Sequence, residues 1–133
     1  MTNAFDDKPV DQSSAAYEEL LGLDMWRTWT PVRTSWTDVG TIVVTALYKF
    51  VGKLVFFQIK VVPGTSIATT AGTSYVSLPV AAKGIGGVAT MTNLTTNVSV
   101  GVCHIDATNS RCYPPSQTAS GNTFVLNGWY ERG

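Results

Sequence analysis

From Trp26 onward the chain alternates apolar and polar positions in short runs rich in Val, Thr, Ile, Phe and Tyr, punctuated by clusters of Gly, Pro, Asn and Ser. Period-two alternation bounded by turn-forming residues predicts strands. The runs place them at Arg27 to Trp36, Thr41 to Phe50, Lys53 to Val62, Ser74 to Val80, Gly87 to Thr92, Val98 to Ile105 and Asn122 to Tyr130, with a tight hairpin at Val51-Gly52. No segment after Trp26 carries a sustained helical period, so crossover helices are lacking and the pairing is expected to be mainly antiparallel. Short strands at this spacing favour an all-β fold, an antiparallel β-sandwich or jelly roll. Within Lys53 to Val62, one face carries Val55, Phe57, Ile59 and Val61 and is expected to face the core. The other carries Leu54 and Phe56 beside Gln58 and Lys60, an apolar pair that a lone sandwich would leave partly wet.

The pattern differs before Met25. Ser13 or Ser14 can cap a short helix through Leu21, with Glu18 and Glu19 in its first turns and Gly22 as its stop. So short a helix is unstable alone in water, so Tyr17, Leu20, Leu21 and Leu23 are expected to pack on something. The chain therefore divides into an N-terminal arm, residues 1–25, and a β-domain, residues 26–133.

Charge sharpens this division. The 133 residues hold nine Lys or Arg against nine Asp or Glu, yet Asp6, Asp7, Asp11, Glu18, Glu19 and Asp24 all precede Met25, whereas Val61 to Ile105 holds one charge, Lys83. With hydrophobic residues at 44% and charged residues at only 14%, the chain can bury a core, and disorder is not its dominant state. A net charge of zero supplies no field to gather phosphates or hold an anionic membrane. Nucleic-acid binding and membrane insertion are not expected. The longest apolar run, Val51 to Val62, is interrupted by Lys53, Gln58 and Lys60 and is too short to span a bilayer. The first ten residues lack the basic and apolar regions of a secretory signal, which implies synthesis in a cytoplasm. The uncharged, Thr- and Ala-rich stretch from Val61 to Ile105 has the composition of surfaces that meet other subunits.

Candidate chemistry is sparse. The single histidine, His104, falls two residues from Asp106 on one strand and so shares a face with it, but no strained nucleophile turn accompanies the pair. Asp38, Asp106 and Glu131, the only carboxylates of the β-domain, stand in no recognisable glycosidase context. Two cysteines are too few for a zinc site. Bringing Cys103 opposite Cys112 would centre the hairpin on Ala107-Thr108, a poor turn pair, and a loop through Thr108, Asn109 and Ser110 leaves the two as free, buried thiols. Gly84, Gly86 and Gly87 lack a phosphate-loop context and read as a flexible turn. No catalytic residue, metal or cofactor is assigned, and the chain is not read as an enzyme. Of the large aromatics, Trp29 and Trp129 are expected to seal one end of the sandwich, and Trp26 and Trp36 to be exposed.

Trp26-Arg27-Thr28-Trp29-Thr30-Pro31, Val51-Gly52-Lys53-Leu54-Val55-Phe56-Phe57, Ser77-Leu78-Pro79-Val80-Ala81-Ala82, Arg111-Cys112-Tyr113-Pro114-Pro115 and the closing Gly128-Trp129-Tyr130-Glu131 resemble, in that order, the recurring β-domain of bacteriophage tail-fibre and other virion surface proteins. The resemblance covers about Trp26 to Arg132 and implies a jelly-roll-like homotrimer displayed on the particle, made in the host cytoplasm. On that reading Phe5, Tyr17, Leu20, Leu21 and Leu23 anchor the arm to another virion protein of the tail or baseplate. Leu54 and Phe56 are trimer-interface candidates, and Trp26 and Trp36 are candidates for contact with the host surface, including its glycans. A fibre carries a long repetitive shaft where this chain has only the acidic arm. The same architecture could therefore decorate the head, its arm bound to the major capsid protein. A free lectin-like module and a small hydrolase built on His104 and Asp106 are the more distant alternatives.

Overall fold

A computed structural model describes residues 25–133. The expected helix, with Phe5, Tyr17, Leu20, Leu21 and Leu23, lies outside the described residues. Those residues are all-β, with twelve strands: β1 (Arg27–Thr28), β2 (Arg33–Thr34), β3 (Thr37–Val39), β4 (Val43–Val51), β5 (Leu54–Val62), β6 (Ser66–Thr69), β7 (Tyr75–Ser77), β8 (Ala82–Asn93), β9 (Val98–Asp106), β10 (Arg111–Tyr113), β11 (Gln117–Ser120) and β12 (Phe124–Arg132). Nine strands form one sheet in the order β1-β4-β5-β12-β8-β9-β10-β7-β2, and β11-β6-β3 form a second. Every registered pair is antiparallel.

The large sheet is curled, as its connectivity requires. Its two edges, β1 and β2, are joined by only Trp29 to Val32, and the five-residue step from Thr28 to Arg33 reaches at most about 18 Å. Laid flat, nine strands would separate those edges by about 38 Å. The strand expected over Arg27 to Trp36 is thus two edge strands, broken around Pro31, whose missing N–H and fixed φ disfavour a continued ladder. A bulge assists the curl in β9, where Met91 faces Gly101 but Thr92 faces Ser99, because an unpaired extra residue bends a strand.

The core lies on the concave side. Val55, Phe57, Ile59 and Val61 of β5 are all buried, as their alternation predicts. Their cross-strand partners point the same way, with Phe57 between Tyr48 and Gly128 and Ile59 between Ala46 and Leu126. Ile67, from the small sheet, joins the same cluster with Val76, Met91, Cys103, Ile105, Cys112, Phe124 and Tyr130. The small sheet thus caps the curled one in a sandwich arrangement.

Several local expectations are corrected. The β4–β5 hairpin turns on Gly52-Lys53, since Val51 pairs with Leu54. Gly52, at φ +60°, supplies the positive φ that a type II′ turn needs at its first central position. The segment read as a glycine-rich turn lies inside β8, where Gly84 and Gly86 at φ +74° and +94° accommodate a register shift between Tyr130 and Arg132. Trp29 and Trp129 do not seal one end together. Trp29 packs edge-to-face on Tyr48 and Phe57 on the concave side, whereas Trp129, opposite Phe56, stands on the convex side. Cys103 and Cys112 are free and buried, with Cys112 facing Ile105 and Tyr113 facing His104. The thiols are diagonal neighbours on one face. A hydrogen bond with Cys103, together with burial, pushes the Cys112 thiol up from its ordinary value.

Candidate interaction surfaces

The convex face of the large sheet is where the residues singled out for self-association come together. Antiparallel partners share a face, so the registers define rows across it. One row runs Lys49, Phe56, Trp129 and Val88 over β4, β5, β12 and β8. Trp26, the residue before β1, extends it, its ring 5.6 Å from the Lys49 ammonium. A second row runs Leu47, Gln58, Asn127, Thr90 and Val102, and the Thr90 hydroxyl donates to Asn127 Oδ1 at 3.1 Å. A third sets Leu54 between Val51 and Glu131.

Leu54 and Phe56 are half-buried by these neighbours, while the rings and branches around them open to solvent: Trp26 is 44% exposed, Trp129 38% and Val88 52%. Two of the hollows on this face lie among these residues. One of about 310 Å³ is bounded by Trp26, Phe56, Gln58, Asn127 and Trp129. The other, of about 360 Å³, lies among Lys53, Leu54, Ile85, Val88, Trp129 and Glu131. Contiguous exposed apolar surface of this kind marks interaction sites. Sequence reasoning found Leu54 and Phe56 but missed Val88, Ile85 and Trp129. The parity that puts Phe124, Leu126 and Tyr130 in the core would have placed Trp129 on the opposite side.

Charge on the described residues is one-sided. Residues 25–133 hold eight Lys or Arg against three acids, a formal net charge of +5, and residues 1–24 hold six acids against Lys8, a net of −5. Lys49 and Lys60 sit on the convex rows, Lys53 at the hairpin tip beside them, and Glu131 is the acid on the same face. The ion pair among the described residues, Arg33 to Asp38 at 2.6 Å, lies elsewhere.

Trp36, the second host-contact candidate, stands apart from Trp26. It is half-buried, its indole N–H donates to the Tyr75 carbonyl at 3.0 Å, and the Arg33 guanidinium lies 5.6 Å from its ring centre. His104 is exposed and stacks obliquely on Tyr113 at 6.0 Å. The two border an open hollow of about 510 Å³ with Val102, Asp106 and Pro114. Asp106 is committed to its own turn: its carboxylate accepts from the Asn109 side chain at 2.9 Å and from the Thr108 and Asn109 backbone N–H groups. These bonds, the Asn109 side chain foremost, hold its carboxyl below the ordinary value. This locks the hairpin loop, an Asx-type turn. No helix among the described residues is long and apolar enough to cross a membrane.

No protein-family model, curated protein or solved structure matches this chain.

Proposed function

We propose that this chain is a structural protein of a bacteriophage virion: a β-sandwich module that associates as a homotrimer through its convex sheet face, is attached to the particle through residues 1–25, and is displayed at the surface in a tail-fibre or tail-associated role toward the host. The observation that carries this reading is the solvent-facing row of Trp26, Phe56, Trp129 and Val88, apolar area that a monomer gains nothing by exposing. The order of motifs shared with virion surface domains supports it. Leu54 and Phe56 are the centre of the self-association surface, and Trp26, the first of the two host-contact candidates, extends the same row and is assigned to that surface. Phe5, Tyr17, Leu20, Leu21 and Leu23 supply the apolar side of the attachment.

The same architecture on the capsid, bound to the major capsid protein, is the alternative. A free lectin-like module has one observation on its side, the open hollow bordered by the exposed His104 ring and the half-buried Tyr113 and Pro115, surfaces on which sugars stack. Quantitative mass spectrometry of purified particles separates these readings. Hundreds of copies per particle place the protein on the head, a few dozen or fewer place it on the tail, and absence from particles refutes the virion reading.

A further inference from the structure

We infer that the convex sheet face is covered by this chain's own residues 13–24, so that the proposed trimer forms with these acidic segments lying between sheets rather than by bare sheets meeting. This rests on the self-association reading above and divides the arm in two. Residues 13–24 serve the protein's own sheet, which moves Tyr17, Leu20, Leu21 and Leu23 from the attachment described above and leaves Phe5 with Asp6, Asp7 and Asp11 for a partner on the particle.

Three observations converge. The first is position. Trp26 lies in the convex row itself, and in the antiparallel sense set by Arg27 opposite Tyr48 Met25 stands on its Gly52-Lys53 side, toward the hollow lined by Lys53, Leu54, Ile85 and Trp129. The second is reach. From Trp26 to Val88 the row crosses four strand spacings, about 19 Å. The expected helix of residues 14–21 would be about 12 Å long, and an extended link of four residues adds about 14 Å, so the segment spans the row without displacing a strand.

The third observation is chemical complementarity. The face offers apolar area rimmed by Lys49, Lys53 and Lys60, with Glu131 the acid among them. The segment offers Tyr17, Leu20, Leu21 and Leu23 together with Glu18, Glu19 and Asp24. Three bare faces, each rimmed by lysines on a body of net +5, would repel one another as they desolvate. Each interleaved segment, residues 13–24, brings −3 through Glu18, Glu19 and Asp24 and so offsets most of that charge.

The test uses the full chain and the double variant Leu20→Ser/Leu21→Ser, comparing acrylamide quenching of tryptophan fluorescence and mass by light scattering. Docking predicts a quenching constant up about twofold in the variant, as two of the four indoles, Trp26 and Trp129, lose their cover, with an unchanged far-ultraviolet spectrum. In charge terms, Glu18→Lys/Glu19→Lys should expose the tryptophans likewise, and adding Lys53→Glu/Lys60→Glu in the same chain should restore their protection. This second series holds should the leucine variant misfold. Unaltered quenching in both series overturns the inference, even with the wild type trimeric, and in that case the trimer stands without it. Raised quenching in the variants, with a wild type that is monomeric throughout, supports the docking and counts against the trimer.

Discussion

Tyr130 shows how much one side chain can settle. Fully buried between Phe57 and the β8 backbone, it donates its hydroxyl to the Val80 carbonyl at 2.8 Å and accepts from the Val80 N–H at 3.1 Å. It thus closes the loop before β8, satisfying both backbone groups of a residue that has no ladder of its own. Tyr130→Phe keeps the ring and removes both bonds, and should cost about 1–3 kcal/mol in urea denaturation. Burial, partly offset by the Val80 N–H, pushes the phenol up to about 12, against about 10 in an unfolded chain. A folded value above the unfolded one means stability fully present below pH 10 and lost as pH rises through 12. The raised Cys112 thiol acts in the same direction from the lower pH at which an unfolded thiol ionises, about 8.5. The urea midpoint should therefore fall progressively above that pH, and in Tyr130→Phe the fall between pH 10 and 12 should be shallower by the tyrosine's share. Cys103 and Cys112, being buried, should resist a thiol reagent in the native state and react at once when the protein is unfolded.

At the scale of elements, the long strands were legible, as was the short β7 within Ser74 to Val80, but the strands of the small sheet were not. β5 is buried at alternate positions over its whole length, so its pattern carries both its existence and its facing. By contrast β3, β6 and β11, of three or four residues each, hold too few positions for a period to emerge, and their pairing is decided by the large sheet they cap. The fate of Trp129 was misread because residue type was weighed over parity. The Gly84 to Gly87 segment was misread because glycine signals a turn and a bulge equally well. Two glycines separate these roles. A Cβ on Gly52 would meet nothing, so Gly52→Ala pays only for its left-handed backbone, about 1–2 kcal/mol. A Cβ on Gly128 would strike the Val88 carbonyl oxygen and Ala89 in the middle of the sheet, where neither backbone can retreat. Gly128→Ala should cost about 3 kcal/mol or more, read as a loss of soluble folded protein or a sharply lowered melting temperature.

For the whole molecule, the all-β character of residues 25–133 was visible in the sequence as a sustained period-two alternation from Trp26 onward. The candidate surface was half legible: Leu54 and Phe56 emerged from strand parity, while Trp26, Trp129 and Val88 became their neighbours only through the β1-β4-β5-β12-β8 order, which no local signal encodes. That order also gives self-association a clean probe. Phe56 lies opposite Lys49 on a solvent-facing row, so Phe56→Asp can pair with that lysine in a single copy and leave the core untouched, whereas in an interface it desolvates a charge at a cost of several kcal/mol. Light scattering on the full chain at micromolar concentration should give three times the single-chain mass for the wild type. Phe56→Asp should give the single-chain mass with an unchanged far-ultraviolet spectrum. A wild type that is monodisperse at the single-chain mass would contradict the account.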